Sequence, residues 1–553
     1  MKITVADALL KELEHIGADS IFGIISIHNI PFYDALERHG GFRVVTARHE
    51  GAAVNMADAY SRISGKLGVA LTSTGTGAGN AAGAIIESWN GGAPLLHVTG
   101  NVAYAFVDTG RGYIHDCKDQ FGMLKSISKD AYHVHHPQEA PSIFRRAIRH
   151  ALQPPAGPIS VEIPIDFQAS LITVPEIADT PAGLPVPPKP QLTPAVERIL
   201  AAKRPVIWAG SGAMFSDSAA EVTELMQLLD AAVITTQSGR GIVPETDSRC
   251  IGHFATFPAL RTFMQTADLL ISIGVRFRGN ETSNWNLKTP SEHIGIDADA
   301  RAINRNFPHS IGLVGDAKAI LKRVVPAIRA VEPQPKLGYR KEVSQLHRML
   351  RQEVRDTMGP WEPILDAIQE LMPEDAILAR DVTVPATTWG SRLIVRRYPR
   401  TTLHASAGGI GQALPMAIGA QISAPTKTVV ALCGDGGLLV NMGELAAARQ
   451  ENVPIIVILF DDQGYGVLRN IQNAHFEGRR IGVDFSSPDF VAIARGFGFE
   501  SERVKSAEAF REAFSNAVKS RKPWVIVVDS DSIGEMKKIF AGPDGGAQLY
   551  KPH

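Results

Sequence analysis

The 553-residue sequence predicts an α/β protein made of three doubly wound parallel-sheet domains. Three observations carry that expectation. Short uncharged apolar runs of strand length alternate with stretches whose apolar residues recur at helical spacing, the pattern of parallel sheets covered by helices. The length suits about three domains of roughly 100–200 residues each. The 50 glycines and 35 prolines sit scattered between the runs and form neither a low-complexity tract nor a short-period repeat.

Each element follows in order. The opening MKITVADALLKELEHIG reads as an amphipathic helix with acidic residues in it, unlike a basic stretch leading into an apolar secretion core. It begins a first domain over residues 1–172. From Pro175 to Pro194 the proline density argues against helix and central strand, so 173–195 reads as an extended linker. A second domain, 196–330, shows strand-like PVIWAG, ADLLISIG and EHIGIDAD, with helix-like AAEVTELMQLLD and AKAILKRVV. The charged segment 331–360 predicts a connecting helix with a loop on its N-terminal side. The third domain, 361–532, holds TVVALCGDGG and VPIIVILFDD as buried parallel strands and PWVIVVD as a later one. The tail 533–553 reads as a possible lid.

Composition narrows the function. Lys and Arg number 56 against 57 Asp and Glu, a net charge of −1 with no charged block, which argues against nucleic acid and anionic lipid as partners. A small molecule is the expected partner. Cys117, Cys250 and Cys433 cannot form a disulfide framework and show no zinc-ligand spacing, so a reducing, cytoplasmic compartment is expected. No uncharged apolar run reaches the roughly 18 residues of a membrane span.

The segment from Cys433 to Gly466 carries the chemistry. A buried strand ends at Gly434 and puts Asp435 at its tip. Gly436 and Gly437 let the backbone approach a ligand before a helix expected to start near Leu438. The next strand, PIIVILF, brings Asp461 and Asp462 to the same sheet edge. Two carboxylates beside a phosphate-binding helix end suit Mg²⁺. A bare GDG in an ordinary βαβ unit would fit equally well.

Spacing separates these readings. Asp435 and Asp462 stand 27 residues apart, and this arrangement resembles the fingerprint of thiamine diphosphate enzymes. IGAQISAPTKTVVALCGDGG, residues 418–437, fits the longer family signature. The family usually has Asn at the second ligand position, so Asp462 adds negative charge. The resemblance implies Asp435, Asp462 and the Gly464 carbonyl as metal ligands, with Gly436, Gly437 and Tyr465 at the cofactor. VVTARHEGAAVNMADAYSRISGKLGVALTSTGTGAGN looks like the family's strand-end glutamate motif. Glu50 would there exchange a proton with the pyrimidine ring, and burial should raise its pKa. In HASAGGIGQALPMAIGA, Ile410 falls where the family places a bulky residue beneath the bent cofactor. The Gly408 carbonyl would accept from the pyrimidine, and Thr383 would meet the diphosphate.

The similarity runs from FGIISIHNIP to PWVIVVD. It implies the order pyrimidine-binding domain, central Rossmann-like domain and diphosphate-binding domain. It also implies a homodimer or homotetramer, with Glu50 and Asp435 meeting across subunits. The implied reaction is C–C cleavage or ligation on 2-keto acids or 2-hydroxyketones, through an ylide and an enamine. His28 matches a histidine of benzaldehyde lyase, and His115 stands where that enzyme and acetolactate synthases carry Gln; both are candidate catalytic groups.

Acetolactate synthase is the alternative. Its AFQE segment is YIHD here, and its channel tryptophan is Ile471, although RNIQNAHFEGRRIGVDFSSPDF follows its pattern. SAGGIGQALPMAIG and GYGVLR look closer to benzoylformate decarboxylase, whose histidine pair is missing from TSTGTG. A cofactor-silent structural homologue is a further alternative. AGSGAMFS, residues 209–216, lacks the third glycine of a dinucleotide motif, which speaks against a nicotinamide dehydrogenase and leaves FAD open but unsupported.

Overall fold

The computed structural model describes residues 2–173 and 187–538. Its strands form three six-stranded parallel sheets and one small antiparallel pair. The first sheet runs, edge to edge, Arg43–Thr46, Ser20–Gly23, Gly68–Thr72, Leu95–Asn101, Pro158–Pro164 and Asp130–His133. The third runs Thr402–His404, Ile377–Arg380, Val429–Gly434, Ile456–Asp461, Trp524–Asp529 and Glu500–Val504. Numbered along the chain within each sheet, both have the order 2-1-3-4-6-5. The central sheet, Cys250–Gly252, Ala232–Thr235, Pro205–Ala209, Leu269–Ile273, His293–Asp297 and Ile311–Val314, has the order 3-2-1-4-5-6.

The middle strands are buried on both faces because helices cover both sides, which is why they read as unbroken apolar runs rather than as alternations. The outer domains share one core. The helices Glu50–Ser64 and Ala413–Ser423 pack together, and a Cβ on Gly419 would come 2.1 Å from the Met56 carbonyl oxygen. Only glycine permits that approach. Arg276 ties in the central domain, its Nη1 donating to the carbonyls of Trp89 (3.0 Å) and Asn90 (2.8 Å).

Several expectations are corrected. The first helix is Val5–His15; Lys2–Thr4 is instead a strand paired with Leu171–Thr173, and Thr4 caps the helix through a capping box. The proline-rich segment is not extended to its end, because Lys189–Ala201 is helical with Pro194 inside it. Pro194 is the sixth residue of that helix, so it removes one intrahelical bond, to the carbonyl of residue 190, without ending the helix. The helix after the GDG sequence spans Asp435–Asn441, with Gly434 as its cap, so Asp435 is already helical. The rest of the supposed linker, 174–186, and most of the supposed lid, 539–553, lie outside the described residues. The tail begins at the last residue of the helix Ser530–Ile533, and the carbonyl of the following Gly534 accepts from Trp361 Nε1 at 2.8 Å. Among the described residues no helix is long and apolar enough to cross a membrane.

Candidate active site

On the third sheet, two strands and their loops bring Asp435 and Asp462 to one edge. Asp435 is 1% exposed. Its Oδ1 accepts from the N–H of Gly436 (2.7 Å), and its Oδ2 accepts from the N–H of Gly464 (3.0 Å). The Gly436 amide is thus committed to the carboxylate beside it. Burial pushes Asp435 up to about 6, and the nearby Asp461 charge adds to this. Asp462 is pushed up to about 7, by burial and then by the charge of Asp435. Asp461 is otherwise engaged, accepting from Ser487 Oγ (2.6 Å) and Arg503 Nη2 (2.7 Å). Thr383 lies behind this edge, near enough that a Cβ on Gly434 would be 3.2 Å from its Oγ1. Tyr465 packs over Gly436 and stacks edge-on with Phe485 at 5.4 Å.

The loop 405–411 is held in place by two carboxylates that the sequence reading missed. Glu87, from the first domain, accepts from the N–H groups of Ala407 (2.6 Å) and Gly409 (2.7 Å). Asp381 accepts from the N–H of Gly411 at 2.9 and 3.0 Å, and burial pushes it up to about 6. Between these clamps Gly408 is exposed and Ile410 half-buried. The signals were available: Asp381 follows the strand-like AILAR, and Glu87 is a lone acid in the apolar run AAGAIIESW.

The first sheet gathers the remaining candidates at its own carboxyl edge. Glu50 opens the helix Glu50–Ser64, and Asn80 Nδ2 donates to its Oε2 at 3.0 Å. A Cβ on Gly77 would be 3.1 Å from Glu50 Oε1. Glu50 is half-buried in this chain rather than enclosed by apolar residues as expected, because its helix start lies at the open edge of the sheet. The loop beside it turns at Gly75, φ +57°, where a Cβ would be 2.2 Å from the His115 carbonyl oxygen. His115 is itself left-handed, φ +64°, and its ring meets His28 edge-on at 5.2 Å. His28 is 3% exposed, its Nδ1 has no hydrogen-bond partner, and burial followed by His115 lowers its pKa. Gln120, also missed, fixes this loop by accepting from the Gly75 N–H (2.7 Å) and donating to Glu162 Oε2 (2.9 Å).

Glu50, His28 and His115 therefore share one edge, and Asp435, Asp462, Gly464, Thr383 and the Ile410 loop share another. Three successive stretches match thiamine pyrophosphate enzyme domains: the N-terminal TPP binding domain at 3–123, the central domain at 192–324 and the C-terminal TPP binding domain at 385–528. A probable 2-ketoarginine decarboxylase of Pseudomonas aeruginosa is 31% identical over 507 residues, covering 90% of this chain and 88% of its own length. The chain belongs to the thiamine pyrophosphate enzyme family.

A second relative of this TPP enzyme is a probable acetolactate synthase large subunit of Methanocaldococcus jannaschii. It is 29% identical over 561 residues, covering 98% of this chain and 94% of the relative. The solved structure of a thiamine diphosphate-dependent 4-hydroxybenzoylformate decarboxylase of Rhodococcus jostii RHA1 shares the fold. Its TM-score is 0.80 at 23% identity, covering 97% of this chain and 100% of that one. The chain is a TPP-dependent enzyme with both synthase and decarboxylase relatives. Among the described residues no group of three or more His, Cys, Asp or Glu is arranged to hold a metal ion. The donor set is instead two carboxylates with backbone groups, which suits a cation that completes its shell with phosphate oxygens.

Proposed function

We propose that this TPP enzyme is a Mg²⁺-dependent C–C lyase and carboligase acting on 2-keto acids or 2-hydroxyketones. The observation that carries the reading is the convergence of Asp435 and Asp462 just past the tips of two paired strands, with the Gly464 N–H bonded to Asp435 and burial, then the charge of Asp435, raising the pKa of Asp462. In this reading Asp435, Asp462 and the Gly464 carbonyl hold Mg²⁺ against a diphosphate, with Thr383, Gly436, Gly437 and Tyr465 around it. The clamped loop presents the Gly408 carbonyl and the Ile410 side chain to the organic part of the cofactor. When bound, thiamine diphosphate supplies the carbon nucleophile and the electron sink for C–C cleavage. Glu50 holds and moves the proton at the pyrimidine ring, and His28 and His115 move protons at the substrate.

The two edges belong together across subunits. Exposed apolar residues lie on the connections and helices near each in the chain: Ile25 and Ile27 after the strand Ser20–Gly23 and Ile114 next to His115, Val440 in the helix Asp435–Asn441 and Leu468 in Gly466–His475. Such clusters mark protein interfaces, and a homodimer that buries them would seat residues 1–172 of one subunit against 361–532 of the other. Acetolactate synthesis is the second reading, favoured by the Methanocaldococcus jannaschii relative.

The test supplies thiamine diphosphate and Mg²⁺ with pyruvate, benzoylformate, branched 2-keto acids, benzoin and acetoin, following CO₂ and aldehyde separately. Acetolactate from pyruvate selects the synthase reading. Benzoin cleavage without CO₂ from any acid selects aldehyde lyase, and no turnover of any substrate rejects the proposal. A cleft of about 560 Å³ lined by Gly212, Gly274, Arg276, Asp297 and Arg301 is large enough for a nucleotide. Flavin absorbance in the purified protein would assign this cleft to FAD.

A further inference from the structure

Where the three domains meet, a cavity of about 30 Å³ is lined by Arg62 of the first, Ser238 and Arg240 of the second, and Arg400, Thr402 and His404 of the third. Its polar lining is under-satisfied. Arg240 is fully buried and gives Nε and Nη2 to Glu245 at 2.7 and 2.6 Å, yet its Nη1 has no partner. Thr402 Oγ1 and His404 Nδ1 are also buried without partners. Three orphaned polar atoms from two domains around one small void point to an occupant, because buried donors are ordinarily paired.

Charge selects the occupant. Glu245 offsets Arg240, and Asp58 offsets Arg62 at 2.9 Å. Arg400 donates to the carbonyls of Arg62 (3.2 Å) and Met214 (3.1 Å). Among the described residues, no carboxylate lies within ion-pair distance of it. Its backbone sits in the left-handed region, φ +57°, uncommon for arginine and costly unless the surroundings impose it. A neighbouring void of about 20 Å³ shares Ser238 and His404 and adds Arg276 and Arg278, with Glu281 as its one acid. Arg276 and Arg278 donate to carbonyl oxygens of Trp89, Asn90 and Ser406. The countercharge that acts on Arg400 is Asp217, which is itself bonded to Lys318, so positive charge is in excess beside a space that takes one or two waters or one small ion. The arginines repel a cation, and the volume excludes phosphate and larger anions.

We propose that this junction binds one small monovalent anion of the halide class, held by Arg400, Arg240, Thr402 and His404, and that the anion locks the three domains together. Its test reads anomalous scattering and melting, so it does not depend on turnover.

Bromide is the probe. Crystals of the full chain soaked in bromide should show an anomalous peak between Arg400 and His404. In gluconate buffer at constant ionic strength, added bromide should raise the melting temperature saturably, by about 3 °C. Arg400→Gln should abolish the rise, and Thr402→Val should shift its midpoint to higher bromide. Water alone in the cavity, anomalous peaks only elsewhere, or melting that follows ionic strength regardless of the anion would overturn the proposal. If Arg400→Gln does not fold, the wild-type titration and Thr402→Val still decide.

Discussion

The two outer sheets have the same strand order and carry different residues at the same positions. In each, the second strand along the chain leads into a helix, Glu50–Ser64 in one and Ala413–Ser423 in the other, and these two helices pack together. That helix opens on Glu50 in the first domain and is preceded by the clamped loop around Ile410 in the third. The third strand leads to the glycine turn at Gly75 in the first domain and to Asp435 in the third. One architecture, used twice, thus presents two edges lined by different side chains.

The largest effects should come from removing one acid at each edge. Asp435→Asn should weaken binding of thiamine diphosphate and Mg²⁺ by about a hundredfold or more, as read by calorimetry. Glu50→Gln should leave that binding largely intact and lower kcat by about 10²–10⁴-fold. Mixing the two variants sharpens the comparison. If the edges meet across subunits, a hybrid dimer regains one intact site and activity returns; if each chain completes its own site, the mixture stays inactive.

Ile410→Ala should lower kcat by about ten- to a hundredfold with little change in cofactor affinity, because a displaced reacting group loses its alignment. Smaller effects belong to the groups joining the edges. Burial pushes Glu444 from its usual 4.5 up to about 7, while its Oε1 accepts from the Arg48 N–H at 2.9 Å. A raised carboxyl pKa favours the folded state below pH 4.5, and that contribution is lost as the pH rises through 7. Urea unfolding should therefore show wild-type stability falling by up to about 3 kcal/mol across that window, and Glu444→Gln should flatten the slope. Glu87→Gln should cost about 1–3 kcal/mol by the same measurement, since it weakens the carboxylate's hold on Ala407 and Gly409. An unchanged midpoint would show that the loop holds without it.

The apolar runs from Val429 and Ile456 were legible as parallel strands because only a strand covered on both faces tolerates such continuous hydrophobicity. Asp435 was legible for the same reason, since a carboxylate ending such a run has a known place at the sheet edge. The helix through Pro194 was hidden because local proline chemistry argues against it, while packing of Ala195 and Ile199 on the central core favours it. Glu87, Asp381 and Gln120 were hidden for a different reason: what they hold is backbone, in loops remote in sequence, and a backbone amide leaves no mark in a residue string.

Periodicity and motif spacing thus established the three sheets, the family and the residues at each edge, because those signals are local and repeat along the chain. Only the tertiary structure decided which loop each buried carboxylate grips, how far Glu50 is enclosed, and which void Arg400 lines. Those depend on long-range contacts whose energies are set by burial and distance, and neither quantity is written in the order of the residues.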